Sequence, residues 1–307
     1  MKFQVIMSKT LDDLMSLRRM AFLIFLGTSL TVLLVGGLSG GDQEMSLQMQ
    51  TQSLIDYFTI FIFLWTSGFF LSITVSTAAA GFISREHDEG TLLILVSKPI
   101  NRFEIILGKF LALLISSLII QSAVLCLSII CLWAFMSLDP YSVQALLNLL
   151  PWVLLYSFIV MLIFSCIGTA LSTILRSRTR IMLILTIIIM LTFFIGIIPR
   201  TVFASTYETY YLYYGDLGYH LGNTMLLLLD QSPTWKMMPQ SQLMMAGFTG
   251  TYPFTPEGSY DPDMGAWPAS LGMTNYVLPI VSLLIWIGVS AGAIALSANV
   301  MKRKEVY

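Results

Sequence analysis

Charged residues are scarce in this chain. Asp, Glu, Lys and Arg make up only 11% of its 307 residues, against about 25% in an ordinary soluble domain. With 56% hydrophobic residues, the chain has too little polar surface to cover a water-soluble globule, which excludes a soluble enzyme and a disordered protein. The 16 basic residues are balanced by 17 acidic ones, whereas a nucleic-acid binder would carry a basic excess. The composition therefore indicates a polytopic membrane protein.

Motifs for catalysis and metal binding are absent as well. The sequence has no Gly-x-x-x-x-Gly-Lys-Ser/Thr phosphate loop, so we do not expect the chain itself to hydrolyse ATP. Its three cysteines, Cys126, Cys131 and Cys166, all fall in apolar stretches, which favours neither a disulfide framework nor a metal site. We predict a non-catalytic chain with no catalytic residue, no bound cofactor and no metal.

Six apolar stretches are long enough to cross a bilayer. Each has about 18 to 27 residues and contains no Lys, Arg, Asp or Glu, and about 20 residues suffice to span the hydrocarbon. Such runs must be helical, because helices satisfy their own backbone groups in lipid. We therefore predict an all-α protein with six transmembrane helices, at 20–38, 57–83, 110–136, 152–175, 181–198 and 276–300.

The basic residues predict the orientation. Of the 16 Lys and Arg, 14 lie in the segments 1–19, 84–109, 176–180 and 302–304. Because cytoplasmic loops carry the excess of basic residues, we expect both termini in the cytoplasm and the loop 199–275 outside. The chain is then one transmembrane domain, residues 1–307, in the plasma membrane.

The predicted spans contain few polar side chains. They lack the ionisable residues of proton relays and voltage sensors, and their most polar mid-span residue is Gln121. This side chain either makes a hydrogen bond between helices of the bundle or lines a substrate path.

Small residues recur at helical spacing in two spans. Such residues allow helices to approach closely, so each set either packs within one chain or forms the seam of a dimer. The residues are Gly68, Ser72, Ser76 and Ala80 in the second span, and Gly288 and Gly292 in the sixth.

The segment 84–109, which we name the coupling segment, has an unusual pattern. A charged cluster at 85–89 is followed by Gly90, a short apolar run at 92–96, and Pro99. The apolar run is too short to span a bilayer, and a solvated loop does not need it. We interpret it as a short helix that lies at the membrane interface or docks on a partner.

This segment resembles the first cytoplasmic loop of ABC-2 type permeases, the membrane subunits of ATP-binding-cassette exporters. The similarity lies in an acidic-Gly-Thr-Leu element, a small-x-Pro-hydrophobic-x-Arg element and a Gly-Lys pair at the start of the third span. These elements are Glu86, Glu89, Gly90, Thr91 and Leu92, then Ser97, Pro99, Ile100 and Arg102, then Gly108 and Lys109.

The resemblance implies a site that docks on a separate cytoplasmic ABC ATPase subunit, which would hold the ATP and Mg. That interface would comprise Arg85, Glu86, His87, Asp88, Glu89, Gly90, Thr91, Leu92, Pro99 and Arg102. It further implies a dimer, with a second copy or a paralogue completing the translocation path, and export as the function. Two alternatives remain: a mechanotransmitting subunit that passes work to an extracytoplasmic partner, and an ATP-independent channel or carrier.

The regions flanking the spans carry two further predictions. The N-terminal segment 1–19 is amphipathic and resembles the interfacial elbow helix of the same family; its apolar face comprises Phe3, Ile6, Met7, Leu11, Leu14 and Met15.

In the loop 199–275, we predict a short helix at 221–229. Six tyrosines lie between 207 and 219. They form either an aromatic belt at the membrane interface or a contact for a substrate or an external partner.

Overall fold

The structure, a computed structural model, describes residues 2–39, 46–88, 102–175, 177–252 and 274–303. These residues contain helices and no β-strand, and six of their helices are long and apolar enough to cross a membrane. The prediction of an all-α protein with six transmembrane helices is confirmed. The orientation of the termini stays a prediction. We therefore use two neutral names: the basic end is the end of the bundle at which spans 1, 3 and 5 begin, and the cap end is the opposite one.

The helices follow one another along the chain with short connections. The N-terminal helix is α1 (Lys2–Leu14), and the spans and the helices between spans 5 and 6 follow it. Four spans are single helices: span 1 is α2 (Leu17–Ser39), span 3 is α5 (Arg102–Met136), span 4 is α6 (Pro140–Ile174) and span 6 is α12 (Pro279–Arg303). Span 2 consists of α3 (Leu47–Phe61), a π-helical segment (Ile62–Phe70) and α4 (Leu71–Asp88). Span 5 consists of α7 (Arg178–Met190), a π-helical segment (Leu191–Ile195) and α8 (Ile197–Thr201). Between spans 5 and 6 lie α9 (Ala204–Thr209), a 3-10 turn (Leu212–Tyr214), α10 (Leu217–Leu229) and α11 (Pro239–Thr249).

Several helices begin earlier than hydropathy predicts. Span 4 begins at Pro140 rather than 152, because the Asp139 carboxylate accepts the Tyr141 N–H at 2.9 Å and proline suits the first helical turn. Span 2 begins at Leu47 rather than 57. The length of an apolar stretch indicates only the part of a helix that crosses the hydrocarbon, whereas we expect these longer helices to continue into the membrane interface. The longer helices of spans 2, 3 and 5 therefore also include Asp56, Lys109 and Arg200, which lie just outside the charge-free stretches predicted from hydropathy.

At the N-terminus, the predicted amphipathic face is confirmed. All six of its predicted residues are buried or half-buried, whereas Gln4, Lys9 and Asp12 on the opposite face are exposed. The helix ends at Leu14 rather than at 19, and residues 17–19 already belong to span 1.

Span 2 is the central helix of the bundle and packs most extensively on span 4. Close approach depends on small residues: a Cβ added to Gly168 would lie 2.8 Å from the Cβ of Ala79. In lipid, where helix association relies on packing rather than on expulsion of water, this close approach sets the distance between the two spans.

The π-helical segments of spans 2 and 5 lie side by side. The rings of Phe63 and Phe193 pack edge to face with centroids 5.7 Å apart, and those of Phe69 and Phe194 with centroids 5.1 Å apart. A Cβ at Gly68 would lie 2.0 Å from the carbonyl oxygen of Phe63, so glycine is required for the wider turn. π-Helical turns are rare and frequent at functional sites.

Helices α9 to α11 form a cap whose centre is the buried side chain of Arg200. Its Nε and Nη2 donate to the two carboxylate oxygens of Asp216, at 2.6 and 2.5 Å, and its Nη1 donates to the carbonyl of Phe248. The Tyr207 hydroxyl donates to the same carboxylate at 2.8 Å. Gly218 leaves room for the guanidinium, because a Cβ there would lie 2.1 Å from Nη2.

Helix α10, which includes the predicted helix at 221–229, is bound to span 6. The Nδ1 of His220 is 2.9 Å from the Ser282 hydroxyl, and its Nε2 is 3.1 Å from the carbonyl of Tyr214. Asn223 donates to the carbonyl of Val277 at 2.7 Å. Burial lowers the pKa of His220, so the imidazole is neutral at neutral pH and forms these bonds uncharged.

We predict that Asp216→Ala destabilises the cap. Removing one partner of a buried ion pair leaves the other charge unpaired and costs about 3–5 kcal/mol. Thermal unfolding of the purified chain measures the loss. The control is Asp230→Ala, which removes an exposed carboxylate of the same cap and should change stability by about 0.5 kcal/mol or less. Equal losses in the two variants would contradict the central role of the Arg200–Asp216 pair.

Candidate functional site at the base of the coupling segment

The end of span 2 and the beginning of span 3 both lie within the coupling segment. The backbone of span 2 stays helical through Asp88, and span 3 begins at Arg102. Of the predicted ATPase interface, Arg85, Glu86, His87 and Asp88 therefore lie on the last turns of α4 and Arg102 on the first residue of α5, whereas Glu89, Gly90, Thr91, Leu92 and Pro99 lie outside the described residues.

The two helices are joined just inside the bundle by Lys109. Its Nζ donates to the backbone carbonyl of Phe82 at 2.7 Å, and the side chain is buried. Phe82 lies about two helical turns before Asp88, and Lys109 about two turns after Arg102. A buried ammonium needs a polar partner, and this bond supplies one while fixing span 3 to span 2 at the base of the segment.

The residue before this lysine allows helix α1 to pack against span 3. A Cβ at Gly108 would lie 3.3 Å from Cγ2 of Ile6 and 3.6 Å from Cδ2 of Phe3. The Gly-Lys pair thus has two physical roles: the glycine admits α1, and the lysine holds span 2. Spans 2 and 3 and the N-terminal helix meet at one place.

Gln121 lies deeper in the bundle, between spans 2, 3 and 4. Its Nε2 donates to the hydroxyls of Ser67 at 3.1 Å and Ser157 at 3.4 Å, and these hydroxyls are 2.7 Å apart. This is a hydrogen-bonded contact between helices. Gln121 also lines a small recess, so its role in a substrate path stays a prediction.

The two sets of small residues differ in their surroundings. Gly68 packs against Phe193, and the side chains of Ser72, Ser76 and Ala80 are buried within the chain. By contrast, among the described residues, no heavy atom beyond the helix's own backbone and the adjoining residues lies within 4 Å of a Cβ built on Gly288 or Gly292. The glycines of span 6 are open to the surroundings of the chain, and whether they form a dimer seam stays a prediction.

The sequence analysis missed Asp56, which connects span 2 to the cap. Its side chain is buried; Oδ1 accepts from Gln52 Nε2 at 2.9 Å, and Oδ2 accepts from the N–H of Met238 at 3.0 Å. Met238 immediately precedes α11, so the carboxylate stabilises the start of a helix 182 residues away. Apolar neighbours at Leu54 and Ile55 are a local signal of burial, but the partner is decided by the fold.

The comparisons with known proteins agree with this architecture. The family model described as ABC-2 family transporter protein matches residues 4–306. A search of curated proteins finds no match to the chain. Because the family model covers nearly the whole chain, the protein belongs to the ABC-2 family of transporter proteins and is a multi-pass membrane permease.

We predict that Gly108→Leu displaces helix α1. The added side chain would overlap Ile6 and Phe3, and overpacking costs about 1–3 kcal/mol. Trypsin cleavage after Lys9, which is exposed on α1, should become faster because the helix detaches more often. The matched control, Gly288→Leu, places the same side chain in open space and should leave the cleavage rate unchanged. If both variants cleave at the wild-type rate, Gly108 does not hold the helix.

Proposed function

We propose that this permease couples ATP hydrolysis by a separate cytoplasmic ATPase subunit to export across the plasma membrane. The observation that supports the proposal best is the bond between Lys109 and Phe82 at the base of the coupling segment. Membership of the family supports an ATPase partner and the lipid bilayer as the surroundings.

In this mechanism, force on the coupling segment acts on two spans at once. Spans 2 and 3 flank the segment, and the Lys109 bond resists their separation at its base. Helix α1 packs against the same end of span 3. A push by a partner would therefore move spans 2 and 3 and helix α1 as one body rather than bend the loop.

The adjoining π-helical segments of spans 2 and 5 offer a place for the movement to be absorbed. π-Helical turns are frequent at functional sites, and edge-to-face aromatic rings pack between the two segments there. We propose that the basic end of span 2 moves relative to its cap end at Ile62–Phe70.

A second permease subunit, identical or paralogous, would complete the path, and each permease would dock one ATPase that holds ATP and Mg. The proposed docking residues are those on the last turns of span 2 and in the rest of the coupling segment. Both termini and this segment would then face the cytoplasm, as the basic residues indicate.

We predict that Lys109→Met uncouples the complex without preventing its assembly. A hydrogen bond to a charged group contributes about 1.5–3 kcal/mol, so transport-linked ATPase activity in proteoliposomes should fall about tenfold or more. Copurification of the ATPase should persist. The control, Lys9→Met, removes an exposed lysine at the same end and should keep full activity.

The docking surface itself is tested by Glu86→Ala combined with Gly90→Pro, which should abolish copurification. If the native protein never associates with an ATP-binding partner, and this double variant keeps full activity, the coupling proposal fails.

One observation favours a second function, in which the chain passes work to an extracytoplasmic partner. Span 2 is continuous from Leu47 to Asp88, and Asp56 joins it to cap helix α11. Movement of span 2 would therefore reach the cap directly. A mechanotransmitting subunit requires such a connection, whereas an exporter does not.

We predict that Asp56→Ala abolishes ATP-driven movement of the cap if the chain is a mechanotransmitter. Spin labels are attached at Gln231→Cys in the cap and at Tyr141→Cys at the start of span 4, because both residues are exposed. The three native cysteines are replaced by alanine so that only these two positions are labelled. The distance between the labels should change with ATP in the otherwise unaltered complex and stay fixed with Asp56→Ala. An ATP-independent distance in the unaltered complex would exclude this second function.

A further inference from the structure

The six tyrosines at 207–219 divide into two sets in the structure. One set is buried in the cap and comprises Tyr207, Tyr213 and Tyr219. It holds the cap together, since the ring of Tyr213 stacks on that of Tyr276 with centroids 4.6 Å apart. The other set has between 61% and 71% of its surface exposed and comprises Tyr210, Tyr211 and Tyr214. Most of its surface lies outside the cap core, so packing within the chain does not explain it.

The backbone of Tyr211 adds to this question. Its φ is 54°, in the left-handed region, which residues other than Gly, Asn, Asp and His adopt uncommonly. The Tyr214 N–H donates to its carbonyl at 3.1 Å and closes the 3-10 turn. Folding alone would favour asparagine or glycine at 211, yet the turn carries an exposed aromatic ring there. We infer that the exposed rings have a binding role.

An exposed apolar stripe leads to this turn along span 5. Its residues are three or four apart, as one face of a helix requires, and comprise Leu183, Ile187, Leu191, Ile195, Ile198 and Val202. Phe203, the next residue, is also exposed, and α9 with its six residues leads from there to Tyr210. On a membrane-spanning helix such a stripe suits the hydrocarbon chains of lipid. The exposed rings continue that stripe beyond the end of the span.

The length of span 5 places these rings at the depth of the membrane interface. Arg180 is the last charged residue before an apolar run that begins at Ile181. About 20 helical residues cross the roughly 30 Å of hydrocarbon, so the far boundary falls near Thr201. Helix α9 is about 9 Å long, and the headgroup region on each side is about 5–8 Å thick. The turn after α9 therefore lies within reach of the headgroups.

The charge of the stretch 201–215 agrees with such a position. Its one charged residue is Glu208, whose carboxylate accepts a hydrogen bond from the Tyr276 hydroxyl and is thereby held to the beginning of span 6. Tyrosine is enriched at membrane interfaces, because its ring is apolar and its hydroxyl is polar.

We propose that Phe203, Tyr210, Tyr211 and Tyr214 insert into the bilayer interface at the cap end and anchor the cap to the membrane. The rings lie among the headgroups and the upper parts of the acyl chains, beside the exposed stripe of span 5. The partner is the phospholipid surface itself. This anchor needs neither an ATPase nor a transported substrate, so it stands apart from the proposed coupling function.

The test measures contact with lipid in the full-length chain, reconstituted in phosphatidylcholine liposomes without any other protein. Nitroxide labels are placed one at a time at Tyr210→Cys and Tyr214→Cys, with the native cysteines replaced by alanine. Oxygen concentrates in lipid, whereas a water-soluble nickel complex stays outside it. We expect both labels to relax faster with oxygen than with the nickel complex. A label at Gln231→Cys, beside the exposed Asp230 of the cap, should show the reverse order.

The contribution of the rings is tested by Tyr211→Asn. Asparagine adopts the left-handed conformation readily, so the turn should fold and the melting temperature in detergent should not fall. The label at Tyr214→Cys should nevertheless shift toward the nickel complex, because the anchor loses one ring. The matched control is Thr206→Asn, which places the same residue at an exposed polar position of α9 and should cause no such shift.

Three results would overturn the proposal. If the labels at 210 and 214 meet the nickel complex as freely as the label at 231, the rings face water and are open to an external protein. If neither reagent reaches them, a second copy of the chain covers the surface instead of lipid. If Tyr211→Asn shifts the label no more than Thr206→Asn does, the rings do not anchor the cap.

Discussion

The close packing of span 2 against its neighbours is the constraint on which the bundle depends. Without water inside the membrane, polar side chains there must satisfy one another, and helices associate only where small residues let them meet. The approach of Gly168 to Ala79 and the hydrogen bonds of Gln121 to Ser67 and Ser157 meet both requirements. Spans 3, 4 and 5 are thereby arranged around one continuous helix.

That helix also joins the two ends of the molecule. At the basic end, the carbonyl of Phe82 accepts a hydrogen bond from Lys109 beside the coupling segment. At the cap end, the carboxylate of Asp56 holds the start of α11. The cap is itself fixed by the Arg200–Asp216 pair. One buried, hydrogen-bonded charged side chain therefore fixes each end of span 2 to a neighbouring element, with the π-helical segment Ile62–Phe70 between them.

Much of the fold could be predicted because hydropathy, basic residues and helical spacing are local properties of a sequence. They predicted the six spans and the apolar face of α1. The boundaries were wrong where capping residues such as Asp139 extend a helix beyond the hydrocarbon. The partners of Asp56, Lys109 and Arg200 could not be predicted, since each lies on another element. A buried charge of this kind looks like an ordinary loop or interface charge until its partner is known.

The sequence by itself determined the class of protein, the number of spans and the segment that resembles a coupling loop. Each follows from the composition or pattern of neighbouring residues, and the cost of placing charge in lipid enforces it. Only the tertiary structure decided that the Gly-Lys pair at 108–109 admits α1 and holds span 2. Such pairings depend on distances between helices that are remote in the chain, and those distances are set by packing.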